Sequence, residues 1–154
     1  MLKKTTTKKE PATKKTTAHS KLAAAKGRYI ETVGRRKTSV ARVRLMPNES
    51  GIKINGKDAK EYLKATRFYD LVNSPLVVLE LQNKHGFTVM VAGGGIQSQA
   101  EAIRHGISRA LVKLDADFRK RLKKMGFMKR DPRMVERKKY GLKKARKGPR
   151  WAKR

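Results

Sequence analysis

The last 36 residues of this chain, Arg119 to Arg154, carry eighteen Lys or Arg against only Asp131 and Glu136, and that run limits every fold open to the chain. Like charges at this density repel, so the segment cannot compact by itself unless a polyanion neutralises it. Pro132, Gly141, Gly148 and Pro149 forbid one continuous helix and leave room for a turn or two around Met134 to Lys139. The other end is also basic: residues 1–27 hold eight Lys and one Glu among Thr and Ala, too little apolar surface to offset ordering.

A core must therefore come from the middle. Between Arg28 and Phe118 the charge is nearly balanced, with fifteen Lys or Arg against nine Asp or Glu, and the periodic Val, Ile and Leu lie there. The chain divides into a disordered Lys/Thr-rich extension (1–27), a globular α+β domain (28–125) and an extended basic tail (126–154).

Within the domain, "RYIETVGRRKTSVARVRLM" predicts two strands, with Gly34 to Lys37 between or within them. Arg42 and Arg44 share one strand face, and Val43 and Leu45 alternate on the other. "IKINGKDAKEYL" predicts a short strand, an Asn55-Gly56 turn and a short helix from about Asp58. "RFYDLV" reads as another short helix. "PLVVLELQ" and "HGFTVMVAGGG", separated by Asn83 to Gly86, read as a hairpin. Ile103, Ile107, Leu111 and Leu114 recur at helical spacing, and Ser98 followed by Glu101 has the form of a capping box that would start that helix. A last helix from Asp115 carries Phe118, Leu122 and Met125 on one side and stops at Gly126. Strands followed by a long helix over one sheet face make an α+β two-layer sandwich.

Composition excludes several classes of function. The chain has no cysteine, so disulfides and thiolate metal sites are ruled out. His19, His85 and His105 are too scattered to suggest a zinc site, and no metal or cofactor is expected. His105 has no Ser, Cys or paired carboxylate at a catalytic spacing, which makes it structural or RNA-facing and the chain no enzyme. No apolar run nears the roughly 18 residues that cross a bilayer, and neither basic end has an amphipathic stripe, so no membrane partner is expected. The expected location is the cytoplasm. An organelle stays open because residues 1–27 are basic and acid-poor, although they lack the Arg and the apolar stripe of a transit peptide.

Nucleic acid is the polyanion that a net charge of +29 calls for. "GRRKTSVARVR" clusters Arg35, Arg36 and Lys37 beside Arg42 and Arg44. "GGGIQSQAEAIRHGI" puts glycines ahead of a helix, but it lacks the spacing of a nucleotide-binding loop. It fits either a turn that admits an RNA phosphate or a purely structural turn. Gly106, within the helix, costs about 1 kcal/mol relative to Ala, a cost that makes sense if another backbone or a sugar-phosphate comes close. In the tail, Arg forks suit phosphate, and Tyr140 and Trp151 can stack on bases. Fixing the backbone from Gly126 onward costs on the order of 30–60 kcal/mol at roughly 1–2 per residue. Only a partner that encloses the tail can offset this. Fully extended, it reaches at most about 95 Å.

Four motifs, "GRRKTSVARV" (34–43), "GGGI" (93–96), "AIRHGI" (102–107) and "RDPRMVERKKYGLKKARK" (130–147), closely resemble the ninth protein of the bacterial-type small ribosomal subunit. The likeness covers about residues 28–154. It implies a left-handed βαβ crossover like that in the second domain of another ribosomal protein, placed on the subunit head with neighbouring ribosomal proteins, and a tail threaded through ribosomal RNA. The ribosomal-RNA-binding residues it points to are Arg35, Arg36, Lys37, Arg42, Arg44, Arg104, Lys129, Arg130, Arg133, Arg137, Lys138, Lys139, Tyr140, Lys143, Lys144, Arg146 and Lys147. The resemblance further implies that Lys153 and Arg154 approach peptidyl-site transfer RNA. The chain departs from the pattern in two places: "GIQSQAEAIRHG" stands for an expected "GISGQAGAIRHG", and Trp151-Ala152 for Phe-Ser. The competing expectation is a general DNA-compacting basic protein.

Overall fold

A computed structural model describes residues 29–151. The expected extension (1–27) and the expected transfer-RNA residues Lys153 and Arg154 lie outside the described residues.

Alternation in the sequence becomes a five-stranded sheet. Strands β1 (Ile30–Arg36), β2 (Ser39–Met46), β3 (Gly51–Ile54), β4 (Lys57–Asp58) and β5 (Gly86–Ala92) lie in the order β1-β2-β5-β3-β4. β1 and β2 form an antiparallel hairpin with Arg36 opposite Ser39, so Gly34 to Arg36 belong to the strand and Lys37, at φ +48°, to the turn. Ala41, Val43 and Leu45 of β2 are fully buried while Arg42 on the other face is exposed, as the period-two pattern requires.

Among the described residues, four helices accompany the sheet: α1 (Ala59–Leu63), α2 (Thr66–Val78), α3 (Ile96–Leu114) and α4 (Phe118–Lys124). Ile103, Ile107 and Leu111 of α3 pack with Val43, Leu45, Val89 and Phe87 into one core. The opposite sheet face leaves Val40 and Met90 exposed. The architecture is a mixed α+β fold with helices on one side of a single sheet.

The expected hairpin of residues 75–95 does not form. Pro75 to Val78 close α2 instead, and β5 pairs antiparallel with β2 and parallel with β3. The apolar residues Phe68, Leu71, Val72, Pro75, Leu76 and Leu79 share a helical spacing once the run is read backwards from Pro75. Pro75 brings no N–H to the Leu71 carbonyl one turn earlier, but the Ser74 hydroxyl donates to that oxygen at 2.8 Å. The β3-to-β5 connection thus becomes a crossover through β4, α1 and α2 that joins neighbouring parallel strands.

The start of α3 also differs from expectation. Gly95 is the N-cap; Ser98 sits in the first turn, where its hydroxyl accepts the Gly95 N–H at 3.1 Å, and Glu101 turns to Arg36 instead of the cap. The anticipated turn of helix at 134–139 is absent, and the chain there has no regular structure, with short turns from Tyr140. Met134 and Val135 have no apolar partner to bury them.

Two glycines set how closely α3 lies on the sheet. A Cβ at Gly34 would collide with the Ala102 carbonyl oxygen and stand 2.6 Å from the Gly106 nitrogen; one at Gly106 would meet Val43 at 2.5 Å. The space beside Gly106 is thus filled by β-sheet atoms, the Val43 side chain and, further off, the Gly34 backbone nitrogen. Thr32 in β1 secures the contact, donating its hydroxyl to the Gly106 carbonyl at 2.9 Å.

Candidate nucleic-acid interface

Cations from three elements meet where the tail leaves the domain. Just past the end of α4, Gly126 at φ +76° turns the chain back so that the Phe127 N–H donates to the Leu122 carbonyl at 3.1 Å. Phe127 and Met128 then pack on the core, so packing extends past the boundary expected at 125. From Met134 to Trp151 the chain has no helix or strand and its side chains are mostly exposed.

Arg36 ties the root of the tail to the domain. Its side chain is 12% exposed, and the guanidinium pairs with Glu101 of α3 and with Asp131 at 2.9 Å and donates to the Arg133 carbonyl at 2.8 Å. Asp131 also accepts from the Arg133 backbone N–H at 2.9 Å and from both arms of the Arg133 fork. Those Arg133 bonds, with help from Arg36, hold the Asp131 carboxyl well below the usual carboxylate range, and Asp131 in turn raises the Arg133 pKa. Arg36 and Arg133, expected among the RNA contacts, thus have their charges met within the protein.

The remaining expected residues fall into three groups. On the open sheet face, Arg35 is exposed, Arg42 pairs with Glu31 at 3.4 Å, and Arg44 pairs with Glu31 at 3.1 Å while lying over the Tyr29 ring. At the hairpin turn, Lys37 borders a cleft of about 340 Å³ together with Gly94 and Gly95. Along the tail, Arg137, Lys138, Lys139, Lys143, Lys144 and Lys147 are exposed, as is the ring of Tyr140. Arg146 forks onto Glu136, which raises its pKa, and the Lys143 N–H closes a turn on the Lys147 carbonyl at 2.7 Å. Arg104 lies half-buried on α3 with its guanidinium over the Phe127 ring, and Lys129 and Arg130 flank it from the tail.

In the glycine turn ahead of α3, Gly93 and Gly94 pack against the β1–β2 hairpin, whereas Gly95 has open space beside it. A Cβ at Gly93 would stand 2.7 Å from the Thr38 carbonyl, and one at Gly94 would strike the Ser39 hydroxyl. Ser39 and Gln99 both donate to the Gly93 carbonyl, at 2.9 and 3.1 Å. These contacts give Gly93 and Gly94 a structural use, joining the β1–β2 hairpin to the helix start.

His105 is half-buried under the tail root. Burial lowers its pKa first, then the charges of Arg109, Arg104 and Arg130, against a backbone hydrogen bond at Met128 that raises it. A neutral imidazole among guanidiniums fits a packing role.

Sequence reasoning missed Glu101 and Asp131 as organisers of the tail root, and no local pattern connects them to Arg36. It also missed Arg109 and Lys113, which donate to the Val33 and Glu31 carbonyls of the edge strand β1. Their one-turn spacing on α3 was the available signal. Among the described residues, no cluster of His, Asp or Glu could hold a metal, and none of the helices there is long and apolar enough to cross a membrane.

Over residues 34–154, the chain matches the family described as Ribosomal protein S9/S16.

Proposed function

This chain belongs to the ribosomal protein S9/S16 family, and we propose that it is the bacterial-type ninth protein of the small ribosomal subunit. Family membership implies a structural ribosomal protein that works in ribosomes, binds ribosomal RNA and performs no chemistry. The finer reading places its domain on the subunit head beside other ribosomal proteins, with a left-handed crossover between β3 and β5 and its tail in ribosomal RNA.

The observation that carries this reading is the contrast along the chain. Residues 29–128 build one packed core, whereas 134–151 hold exposed cations and two exposed rings with no core of their own. Such a tail gains order from an enclosing polyanion. The proposed phosphate contacts are Arg35, Lys37, Arg42, Arg44, Arg104, Lys129, Arg130 and the cations from Arg137 to Lys147, with Tyr140 stacking. Arg36 and Arg133 contribute by holding the tail root. Lys153 and Arg154 are assigned to the backbone of peptidyl-site transfer RNA.

Subunits that carry a chain lacking Lys153 and Arg154 test this assignment. They should assemble normally yet hold peptidyl-site transfer RNA more weakly; unchanged affinity in assembled subunits rejects the transfer-RNA contact. Failure of the intact chain to co-sediment with small subunits would reject the ribosomal reading. Equal retention on duplex DNA and structured RNA would then favour a DNA-compacting protein.

A further inference from the structure

The cations at the tail root are not equally available. Arg36 is spent on Glu101 and Asp131, and Arg133 on Asp131. Arg104, Lys129 and Arg130 have no ion-pair partner among the described residues, and these three line one cleft of about 450 Å³ between α3 and the tail. The Nε of Arg104 is buried and makes no hydrogen bond. That atom is closed to solvent, so contact with an incoming anion falls to the terminal nitrogens of the Arg104 guanidinium.

The cleft is built before any ligand arrives. Its helix wall is fixed by the close contact of Gly34 and Gly106, and the Arg104 guanidinium lies over Phe127, 5.4 Å from the ring centre. Its tail wall is held by the Glu101–Arg36–Asp131 ion pairs, and Glu101 stands where the resembling pattern has a small residue. Asp131 borders the cleft too, but two guanidiniums compensate its charge.

We propose that this cleft is a preformed seat for a single RNA phosphodiester group, with Arg104 donating from the floor and Lys129 and Arg130 closing over it from the tail. The assignment rests on the reading of the chain as a ribosomal-RNA-binding protein. It goes further by dividing the root cations into two that build the wall and three that share one phosphate. A nucleic-acid strand is favoured over an acidic peptide because the segment that lines the cleft continues along the chain into the exposed cations from Arg137 to Lys147, which suit a polymer of regularly repeated charges.

Three cations on one phosphate predict non-additive behaviour. The full-length protein and its variants are titrated with a transcript of small-subunit head RNA over a range of KCl concentrations. Each phosphate contact contributes about 0.7 to the slope of log affinity against log salt. The triple variant Arg104→Gln/Lys129→Gln/Arg130→Gln should lose about that much in total, and the double variant Lys129→Gln/Arg130→Gln, which leaves Arg104 on the phosphate, no more than that. A loss near threefold larger in the triple variant, or an unchanged slope in both, overturns the shared seat. Because Arg104→Gln can disturb Phe127, the Nε–H resonance of Arg104 in the unmodified protein provides a second readout. It should shift when transcript is added, and a resonance that stays put overturns the proposal. Displacement of the transcript from the cleft residues by polyglutamate at equal charge concentration would assign the site to a protein partner and also overturn it. Failure of the unmodified protein to bind the transcript would instead remove the ribosomal reading, and the seat with it.

Discussion

Gly34→Ala is the substitution for which local propensity and packing predict opposite signs. Gly34 lies in mid-strand, where Ala should stabilise by about 0.5–1 kcal/mol through lower chain entropy. The added methyl would nevertheless occupy the space of the Ala102 carbonyl oxygen and approach the Gly106 nitrogen at 2.6 Å. Both are backbone atoms of a nineteen-residue helix whose inner face is fully buried, so no side chain can swing away. Overpacking of this kind costs about 1–3 kcal/mol or more. The helix must lift from β1, which strains the Thr32 hydrogen bond to Gly106. We expect a net loss of about 2 kcal/mol, equivalent to roughly 8–16 °C in Tm for a domain of this size. Urea and thermal unfolding of the full chain measure it, with Gly148→Ala in the tail as a control expected to change nothing, since that position has open space around it. A Gly34→Ala protein as stable as the parent, or more stable, would refute the claim that the two glycines set the position of the helix.

Lowering the pH should weaken the domain through His105. Its folded-state pKa is depressed, so its contribution is complete above the unfolded value of about 6.5 and is lost as the pH falls through the folded value. Urea midpoints should decline from pH 7.5 to 5, and His105→Gln should flatten that part of the profile; an equally steep decline in the variant would exonerate His105. Tyr140→Ala removes an almost fully exposed ring, so unfolding should move by less than about 0.5 kcal/mol. Its affinity for head RNA should drop by about 1–3 kcal/mol if a base stacks there, and unchanged affinity would remove Tyr140 from the interface.

Much of the sheet could be read from the chain because burial and exposure alternate residue by residue in β2 and β5, a purely local signal. The buried face of α3 was equally legible from Ile103, Ile107 and Leu111. The second half of α2 was not: Pro75 and the β-branched Val77 and Val78 argue locally for a strand, whereas Ser74 repairs the lost hydrogen bond and the apolar face continues into the core. At the interface, sequence identified the cations but not their availability. Arg36 and Arg130 look alike in the chain; only the fold brings Glu101 and Asp131 to one of them and leaves the other facing a cleft. The meeting of Gly34 with Gly106 likewise joins residues far apart in sequence, beyond any local pattern.

Amide hydrogen exchange of the full-length protein, free and bound to head RNA, most directly tests whether the tail takes its order from nucleic acid. In the free protein, protection should reach Phe127, whose N–H is bonded to Leu122, and be lost from Met134 to Trp151. On binding, exchange across 134–151 should slow. Slow exchange throughout that segment without RNA, or no slowing when RNA is bound, would contradict the account.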